Sequence, residues 1–363
     1  MRIAFLGDIA LLGKYDLDKN KAARTRLTKL SAKLAEFDYV VGNLESPLTN
    51  RTRTFICKSM HLKSPTINVD LLKYLNINAV SLANNHLYDF GTAGLADTIE
   101  TLNKNNIEWF GANAKALIKE INGERVSLSG FCCYSTNGCG YLEDNRKYGI
   151  NTLTYTNITK QLEFDKKNHA FSITSLHWGD EHTNFPKYEH VYLANKLAQH
   201  NKVIIFGHHP HVIQGIQSSQ NSLVAYSLGN CLFDDCRSIT GSFVLKQNQN
   251  NKKSFILDVN IENAAIASYR THGFKDEESG LEFFAIEDEI NEISQFLNKI
   301  DDQSIYENMR QNQIRNEIAT KFGKRNFKWF LSRLNYYSIG AFISARIRKK
   351  KYLNDLETIL GGK

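Results

Sequence analysis

The segment VIIFGHHPHVIQG, residues 203–215, places three histidines within four positions, directly after a run of β-branched and aromatic residues. These are His208, His209 and His211. Imidazole nitrogens bind metals and exchange protons near neutral pH, so such a group at a strand end can support a reaction. A histidine-rich turn without a function is the alternative. Other parts of the chain must supply partners before this segment indicates a metal site or a catalytic site.

Several other polar residues follow apolar segments in the same way. Each comes directly after a stretch with the pattern of a buried strand; they are Asp8, Asn43, Glu45, Asn84, Asn85, His86, His177 and Asn230. In α/β proteins the loops at the carboxyl ends of the strands form the ligand crevice. Any one of these residues alone could be a helix cap, a turn residue or a solvated side chain. Their shared position predicts that they converge on one functional site.

The side chains of this set indicate a catalytic metal centre. Carboxylates, carboxamides and imidazoles suit Zn²⁺, Mn²⁺ or Fe, and the absence of cysteine from the set argues against a structural thiolate zinc site. The donors outnumber the ligands that one catalytic metal usually takes. We therefore expect two divalent ions, about 3.5–4 Å apart, that share a bridging carboxylate. Such a pair lowers the pKa of a bridging water and holds a phosphoryl or acyl oxygen opposite the hydroxide that forms.

The order of apolar segments predicts an α/β fold. Strand patterns occur at 2–7, 38–43, 78–86, 125–134, 170–179, 202–209 and 223–230, and helical patterns at 21–36, 66–75, 92–105 and 187–200. Three further strand patterns follow between 241 and 271 with no helix between them, which predicts mixed sheets. Beyond about 284 the pattern is helical. We expect an α/β domain at 1–283 and a helical, basic C-terminal segment at 284–363.

Composition predicts an ordinary globular protein. The 363 residues are 42% hydrophobic and 23% charged. Gly7 and Asp8 interrupt the first apolar run, which makes it a poor signal peptide, and no stretch approaches the ~18 apolar residues of a membrane span. The six cysteines form no C-x-x-C pair, so reduced thiols are the simplest expectation. These observations predict a cytoplasmic protein.

The net charge of +7 has its source near the C-terminus. Residues 321–353 contain ten Lys and Arg and no Asp or Glu, together with Trp329, Phe330, Tyr336, Tyr337 and Phe342. A basic amphipathic helix of this kind can lie on an anionic membrane surface, which would place the protein at the inner face of the membrane. Contact with a polyanion or with other synthesis machinery is a second reading, and nucleic acid is a remote third. The plain alternative is a helical appendage that packs its aromatic side chains on the main domain.

The quoted motifs together resemble a known family. GD at residues 7–8, GNLESP, ANNHLYDFG, HWGDE, GHHPHVIQG and YSLGN stand in the order and spacing of the CapA family, also called PgsA, of bacterial capsule and poly-γ-glutamate synthesis proteins. The resemblance extends over residues 1–272. It implies a fold similar to the calcineurin-like metallophosphoesterases, an α/β sandwich with mixed sheets and a dinuclear metal centre.

The resemblance also implies roles for individual residues. The matched metal ligands are Asp8, Asn43, Glu45 as the bridging ligand, Asn85, His177, His209 and His211, with His208 as the alternative if the register shifts by one. His86 matches the histidine that stabilises the transition state or protonates the leaving group. Asp89 could hold His86 in one tautomer, as carboxylates commonly do for working imidazoles.

Two features depart from the related families. The first phosphoesterase motif is Asp-x-His, whereas this chain has Asp8-Ile9-Ala10, so one ligand of the first metal is missing from that motif. The family resemblance shares this feature, and it leaves one metal or two as alternatives. Many relatives also carry an N-terminal hydrophobic anchor, which this sequence does not have.

Two functions of different classes fit these observations. The first is a metal-dependent hydrolase in capsule or cell-envelope polymer synthesis, in which a metal-activated hydroxide attacks a phosphoester of an anionic polymer or a phosphorylated precursor and His86 serves the leaving group. Reaction at a γ-glutamyl amide is a variant of it. The second is a non-catalytic component of a synthesis or export complex that binds metal and polyanion.

Overall fold

A computed structural model of the chain describes residues 1–143, 146–241, 244–322 and 335–361, with the side chains of residue 200 and residues 316–322 left out. A sheet of eight strands contains β1 (Arg2–Ile9), β2 (Tyr39–Leu44), β3 (Ala79–Ser81), β4 (Glu108–Phe110), β11 (Asn230–Leu232), β14 (Lys253–Glu262), β15 (Ala265–Glu277) and β16 (Gly280–Phe284). Its order is β16-β15-β14-β1-β2-β3-β4, with β11 beside the end of β1. The strands β1 to β4 run parallel and β14 to β16 antiparallel, so the sheet is mixed.

The second sheet has six strands: β5 (Leu117–Ile121), β6 (Glu124–Cys132), β7 (Phe171–His177), β8 (Val203–His208), β9 (Ile216–Ser218) and β10 (Ser222–Ala225). Its order is β5-β6-β7-β8-β10-β9. The four central strands are parallel and both edge strands antiparallel. A short ribbon pairs β12 (Cys236–Arg237) with β13 (Val244–Leu245).

Helices cover the outer face of each sheet. They are α1 (Ala23–Arg26), α2 (Thr28–Leu34), α3 (Val69–Tyr74), α4 (Gly91–Lys104), α5 (Tyr155–Lys167), α6 (Tyr188–His200), α7 (Glu287–Leu297), α8 (Gln303–Phe322) and α9 (Tyr336–Leu360), and 3₁₀ turns occur at Gly13–Tyr15 and Thr66–Asn68. The first four helices pack on the eight-stranded sheet and α5 and α6 on the six-stranded sheet. Among the described residues, no helix combines the length and the apolar composition needed to cross a bilayer.

The two sheets face each other across the central core. Phe5 of β1 and Phe206 of β8 meet there with ring centroids 4.8 Å apart, and Val41, Ile173 and Leu257 belong to the same buried cluster. Complete burial of each such side chain contributes ~1.5–3 kcal/mol. Because both faces of the central strands are covered, β1 and β2 are almost continuously buried rather than alternating. The prediction of an α/β sandwich with mixed sheets and a helical C-terminal segment is confirmed.

The C-terminal helices pack on the second sheet's side of the molecule. Phe296, Tyr306, Tyr352 and Ile359 lie in one buried cluster with residues of α5 and α6. The Tyr306 hydroxyl donates to the carbonyl oxygen of Pro186 at 2.8 Å. The division into a domain at 1–283 and a segment at 284–363 remains a prediction, although the helical part does begin just after β16.

The sequence patterns misplace several elements. The helix expected at 21–36 is two short helices that meet at Leu27. The strand expected from residue 241 is only Val244–Leu245 in the described residues. Helix α5 was not predicted because its sequence is largely polar, but Thr154 caps it by accepting a hydrogen bond from the Asn157 backbone N–H at 3.1 Å. Local patterns fail where tertiary contacts decide the element.

An ion pair that fastens β1 to β14 gives a testable dependence on pH. Arg2 donates from Nε and Nη2 to the Asp258 carboxylate at 3.0 and 2.7 Å. Burial raises the pKa of Asp258, but the hydrogen bonds from Arg2 and His272 more than offset it, so this pKa lies below its ordinary value. The ionised carboxylate therefore stabilises the fold above the unfolded pKa of ~3.9 and loses this effect as the pH falls through the folded value.

We expect Arg2→Met to lower the free energy of unfolding by ~1–2 kcal/mol at neutral pH. The difference from the wild type should shrink as the pH falls below ~4. Urea unfolding across this pH range measures it. Lys29→Met, which removes the exposed Lys29–Glu282 pair, is the control and should change stability by less than ~1 kcal/mol. An Arg2→Met deficit that is independent of pH would contradict this interpretation.

Candidate metal centre

The carboxyl ends of the two sheets meet at one edge, and the predicted residues lie there. In the first sheet Asp8 is the neighbour of both Asn43 and Asn230 in the strand register. In the second sheet His177 and His208 are neighbours. The two edges touch directly, because the His209 backbone N–H donates to Asp8 Oδ2 at 3.2 Å. The prediction that these strand ends converge is confirmed by their positions.

Two groups of donor atoms share one carboxylate. Asp8, Glu45 and His211 form one group, and Glu45, His177 and His209 form the other; in each, the donor atoms lie within 4.8 Å of one another. Glu45 is common to both, as expected of a bridging ligand. The groups place carboxylate oxygens and imidazole nitrogens around two adjacent points, a spacing suited to one or two divalent ions.

Glu45 is the most unusual side chain of the site. It is fully buried, and among the described residues neither carboxylate oxygen has a hydrogen-bond partner. The nearest donors are His177 Nε2 and His211 Nε2, each 3.7 Å from Oε1. Burial, together with the charge of Asp8, raises the pKa of Glu45 well above its ordinary value. A buried carboxylate without partners is costly unless a cation compensates it, so this residue fits a metal ligand.

Asp8, in contrast, is well solvated by protein groups. Oδ1 accepts a hydrogen bond from Asn43 Nδ2 at 2.8 Å. Burial raises the pKa of Asp8, but His208, His211 and the Asn43 amide outweigh this, so the pKa lies below its ordinary value. The Asp8 carboxylate is therefore kept ionised at neutral pH and available to a cation.

The histidine segment separates into two roles. His209 and His211 belong to the two donor groups and have φ angles of 96° and 58°, a region that is strained for a residue with a side chain. His208, the alternative ligand, lies outside both groups, with Nδ1 3.2 Å from Asp8 Oδ1. The second and fourth residues of His208-His209-Pro210-His211 therefore supply the imidazoles that lie around the shared carboxylate. Their metal roles stay a prediction.

The remaining imidazoles are neutral and open to a metal. Burial, then the neighbouring His209, lowers the pKa of His177 well below its ordinary value, and burial lowers that of His209 to about 4. The two rings lie 4.9 Å apart. His177 Nε2 is 2.9 Å from Asn85 Oδ1, which places the Asn85 carboxamide at the second donor group. Neutral imidazole is the form that binds metals.

A pair formed by His86 and Asp89 lies beside the donor groups. His86 Nδ1 is 2.6 Å from Asp89 Oδ2, and Asp89 also accepts the Leu62 backbone N–H at 2.7 Å. The carboxylate fixes the ring orientation and its proton on Nδ1, which leaves Nε2 without a proton in the neutral form. Burial and the charge of Lys58 lower the pKa of His86 to about 4. The positions agree with the expected pairing.

Lys58 is a site residue that the sequence did not reveal. Its side chain is fully buried, and Nζ donates to Asp89 Oδ1 and to the backbone oxygen of Asn85, both at 2.6 Å. Burial raises the pKa of Asp89, but Lys58 and His86 overcome this and lower it. One lysine in a polar stretch gives no sequence signal; only its approach from 27 residues away gives it a role.

Asn84 is a second residue whose role was missed. Oδ1 accepts the backbone N–H groups of His86 and Leu87, each at 3.1 Å, and Nδ2 donates to Asn43 Oδ1 at 3.1 Å. The carboxamide therefore shapes the turn that carries Asn85 and His86 and ties it to β2. Its position after a strand was a usable signal, but the preference of Asn for turns gave it a local explanation.

Removing the Lys58 charge should destabilise the loop that it holds. Lys58→Met leaves the buried Asp89 carboxylate without its main cation, and we expect a loss of ~3–5 kcal/mol in the free energy of unfolding. Lys58→Met combined with Asp89→Asn should recover part of this loss, since no unpaired charge remains. Urea unfolding of the metal-free proteins measures both.

The matched control is Lys119→Met, which removes a half-exposed lysine from its pair with Glu108 and should cost less than ~1 kcal/mol. Equal losses for the two lysine variants would contradict the structural role of Lys58.

The chain resembles proteins of capsule synthesis. It is 30% identical over 241 residues to the PGA biosynthesis protein CapA of Bacillus subtilis, covering 64% of this chain and 63% of that protein. It is 29% identical over 242 residues to the capsule biosynthesis protein CapA of Bacillus anthracis, covering 63% and 59%. A probable polyglutamine synthesis accessory protein of Mycobacterium tuberculosis is 26% identical over 223 residues. The chain thus spans about three fifths of the length of these curated relatives.

Similar solved structures include a hypothetical protein from Thermus thermophilus (TM-score 0.46, 13% identity, 76% of this chain and 99% of that one). A 5'-nucleotidase from Candida albicans has a TM-score of 0.41 and 10% identity, over 82% of this chain and 58% of that one. The family model described as bacterial capsule synthesis protein PGA_cap matches residues 2–235, which include every predicted metal ligand. The chain therefore belongs to the PGA_cap family of bacterial capsule synthesis proteins.

Proposed function

We propose that this protein is a metal-dependent hydrolase of the phosphoesterase type that acts in capsule or cell-envelope polymer synthesis. The observation that carries the proposal is the pair of donor groups that share Glu45, with the His86–Asp89 pair beside them. A purely structural site has no need of a positioned imidazole next to its ligands.

The donor set fits divalent ions. Glu45 and Asp8 supply carboxylate oxygens, and His177, His209 and His211 supply imidazole nitrogens. Mn²⁺, Zn²⁺ and Fe²⁺ accept such a mixture. When bound, a pair of such ions lowers the pKa of water and polarises a phosphoryl or acyl oxygen. The orphaned Glu45 oxygens and the His209 Nδ1 atom, which also lacks a partner among the described residues, support this assignment.

The missing histidine of Asp8-Ile9-Ala10 has a local substitute. His211 Nδ1 lies 3.4 Å from Asp8 Oδ2 and His208 Nδ1 lies 3.2 Å from Asp8 Oδ1. Imidazole thus reaches the Asp8 side of the site from the segment after β8. This arrangement supports two metals rather than one, although the first motif is incomplete.

His86 would exchange a proton with the substrate at Nε2. Because its pKa is about 4, the resting ring is neutral at pH 7 and its Nε2 can accept a proton. An anionic substrate brought to the metals would raise this pKa and favour the protonated form, which can then donate to a leaving oxygen. Asp89 holds the ring in place, and Lys58 keeps Asp89 ionised.

The substrate class follows from charge and from the relatives. The names of the related proteins refer to capsule, PGA and polyglutamine synthesis, which suggests an anionic polymer or a phosphorylated precursor here. Attack at a γ-glutamyl amide is the variant within the hydrolase class, because divalent ions polarise carbonyl and phosphoryl oxygens alike.

The second candidate is a binding component without turnover, which holds a polyanion through the metals. The departure of Asp8-Ile9-Ala10 from the phosphoesterase motif favours it. The buried Lys58–Asp89–His86 arrangement weighs against it, since a polyanion bound only by metals requires no oriented imidazole.

Glu45→Gln tests the shared ligand. We expect metal content to fall strongly, because one substitution removes a donor from both groups, while the metal-free protein keeps its stability, because the lost carboxylate had no partner to lose. Elemental analysis and urea unfolding measure the two effects. Glu108→Gln, far from the site on β4, is the control and should retain its metal. Unchanged metal content in Glu45→Gln would rule out the bridging role.

His86→Gln tests catalysis separately from metal binding. We expect metal content to be unchanged and kcat to fall by ~10²–10⁴-fold on p-nitrophenyl phosphate, bis(p-nitrophenyl) phosphate or poly-γ-glutamate, whichever the wild type hydrolyses. His272→Gln on β15 should retain full activity. A fully metal-loaded wild type that hydrolyses none of these probes, while binding poly-γ-glutamate, would replace the hydrolase proposal with the binding component.

A further inference from the structure

We propose that one face of α9 binds the surface of an anionic lipid bilayer. This face, the α9 stripe, consists of Ile339, Phe342, Ile343 and Ile347, at the spacing i, i+3, i+4 and i+8 of a single helical face. The four side chains are 56%, 60%, 56% and 57% exposed. Four large apolar residues aligned on one exposed face mark an interaction surface, whereas single exposed ones would not.

The opposite face of α9 is already occupied. The Tyr337 hydroxyl donates to the Thr54 carbonyl oxygen at 3.0 Å, Arg348 Nη2 donates to Asn137 Oδ1 at 2.7 Å, and Tyr352 is buried against α6. These contacts fix the rotation of the helix. The α9 stripe is therefore held outward by packing on the other side. The expectation of a helix that packs its aromatic residues on the main domain holds for Tyr337, while Trp329 and Phe330 lie outside the described residues.

The charges along α9 select an anionic partner. Residues 336–353 contain five cations and no acidic residue. Arg348 and Lys351 are used within the protein, by Asn137 and Glu143 respectively. Arg346, Lys349 and Lys350 are exposed, and the Arg346 guanidinium lies 4.4 Å from the Phe342 ring centroid. Apolar side chains with cations beside them match the boundary between acyl chains and phosphate headgroups.

Other occupants fit this face less well. Self-association through the α9 stripe about a two-fold axis would bring the cations of two copies close together, and like charges oppose such a contact. Crossing the bilayer is excluded for the described helices. A membrane surface, in contrast, accepts the apolar row and neutralises the flanking cations at once.

The neighbouring loop extends the same surface toward the metal centre. Tyr337 contacts Thr54, and the next residue, Phe55, is 88% exposed. Gly340 of α9 lies against Cys57, and the following residue is Lys58, which reaches Asp89 and His86. A bilayer on the α9 stripe would therefore lie near the loop that supports the site. The inference does not depend on catalysis or on metal binding.

Vesicle co-sedimentation of the full chain tests the inference. Vesicles of phosphatidylglycerol mixed with phosphatidylcholine should bind the protein, vesicles of phosphatidylcholine alone should bind it weakly, and added NaCl should reduce the binding to the anionic vesicles. Removing Lys349 and Lys350 as alanine variants should weaken binding by ~fivefold for each cation.

Phe342→Glu should weaken vesicle binding by ~tenfold or more, because it replaces an inserted aromatic side chain by an anion. Phe164→Glu is the matched control, the same change at a 49% exposed phenylalanine on α5, and should bind as the wild type does. Circular dichroism and metal content should be unchanged in both variants, since both sites are exposed.

Three results would overturn the inference. They are equal binding to anionic and neutral vesicles, equal losses in Phe342→Glu and Phe164→Glu, or a wild-type dimer in light scattering that Phe342→Glu dissociates while vesicle binding is absent. The last result would assign the α9 stripe to a second copy of the chain.

Discussion

The structure depends on one electrostatic constraint, the burial of two carboxylates among several imidazoles where the sheets meet. Asp8 and Glu45 are both fully removed from water, yet only Asp8 has close donors. Such an arrangement is unfavourable unless a cation shares it. The neutral state of His177 and His209, which burial enforces, leaves their nitrogen lone pairs available. The fold thus stores an electrostatic deficit at the point where divalent ions are proposed to bind.

A second buried network surrounds the first and connects it to distant parts of the chain. Lys58 links the loop after β2 to Asp89 and so to the His86 ring. The C-terminal helices in turn contact the site loops, since Arg310 of α8 pairs with Asp180 in the loop after β7 and Tyr337 of α9 holds Thr54. The helical segment is therefore part of the scaffold that orders the site, and membrane attachment through the α9 stripe would act on that same scaffold.

The limits of sequence reasoning are clear in individual residues. Asp8, Glu45 and His177 were predictable because each follows a buried strand, and parallel strands bring their ends to one edge. Lys58 and the capping role of Asn84 were not, because their contacts join segments far apart in the chain and neither residue type signals them locally. The short helices α1 and α2 and the short strand β13 differ from the expected elements because tertiary packing outweighs weak local preference.

The sequence by itself determined the α/β class, the mixed sheets, the helical C-terminus and the set of residues at the strand ends, because hydrophobic periodicity and residue type are local properties. Only the tertiary structure decided which atoms meet: that Glu45 belongs to both donor groups, that His209 and His211, at positive φ angles, join it while His208 faces Asp8, and that one face of α9 stays exposed. These outcomes depend on strand register and on distances between segments remote in sequence, and no local pattern encodes either.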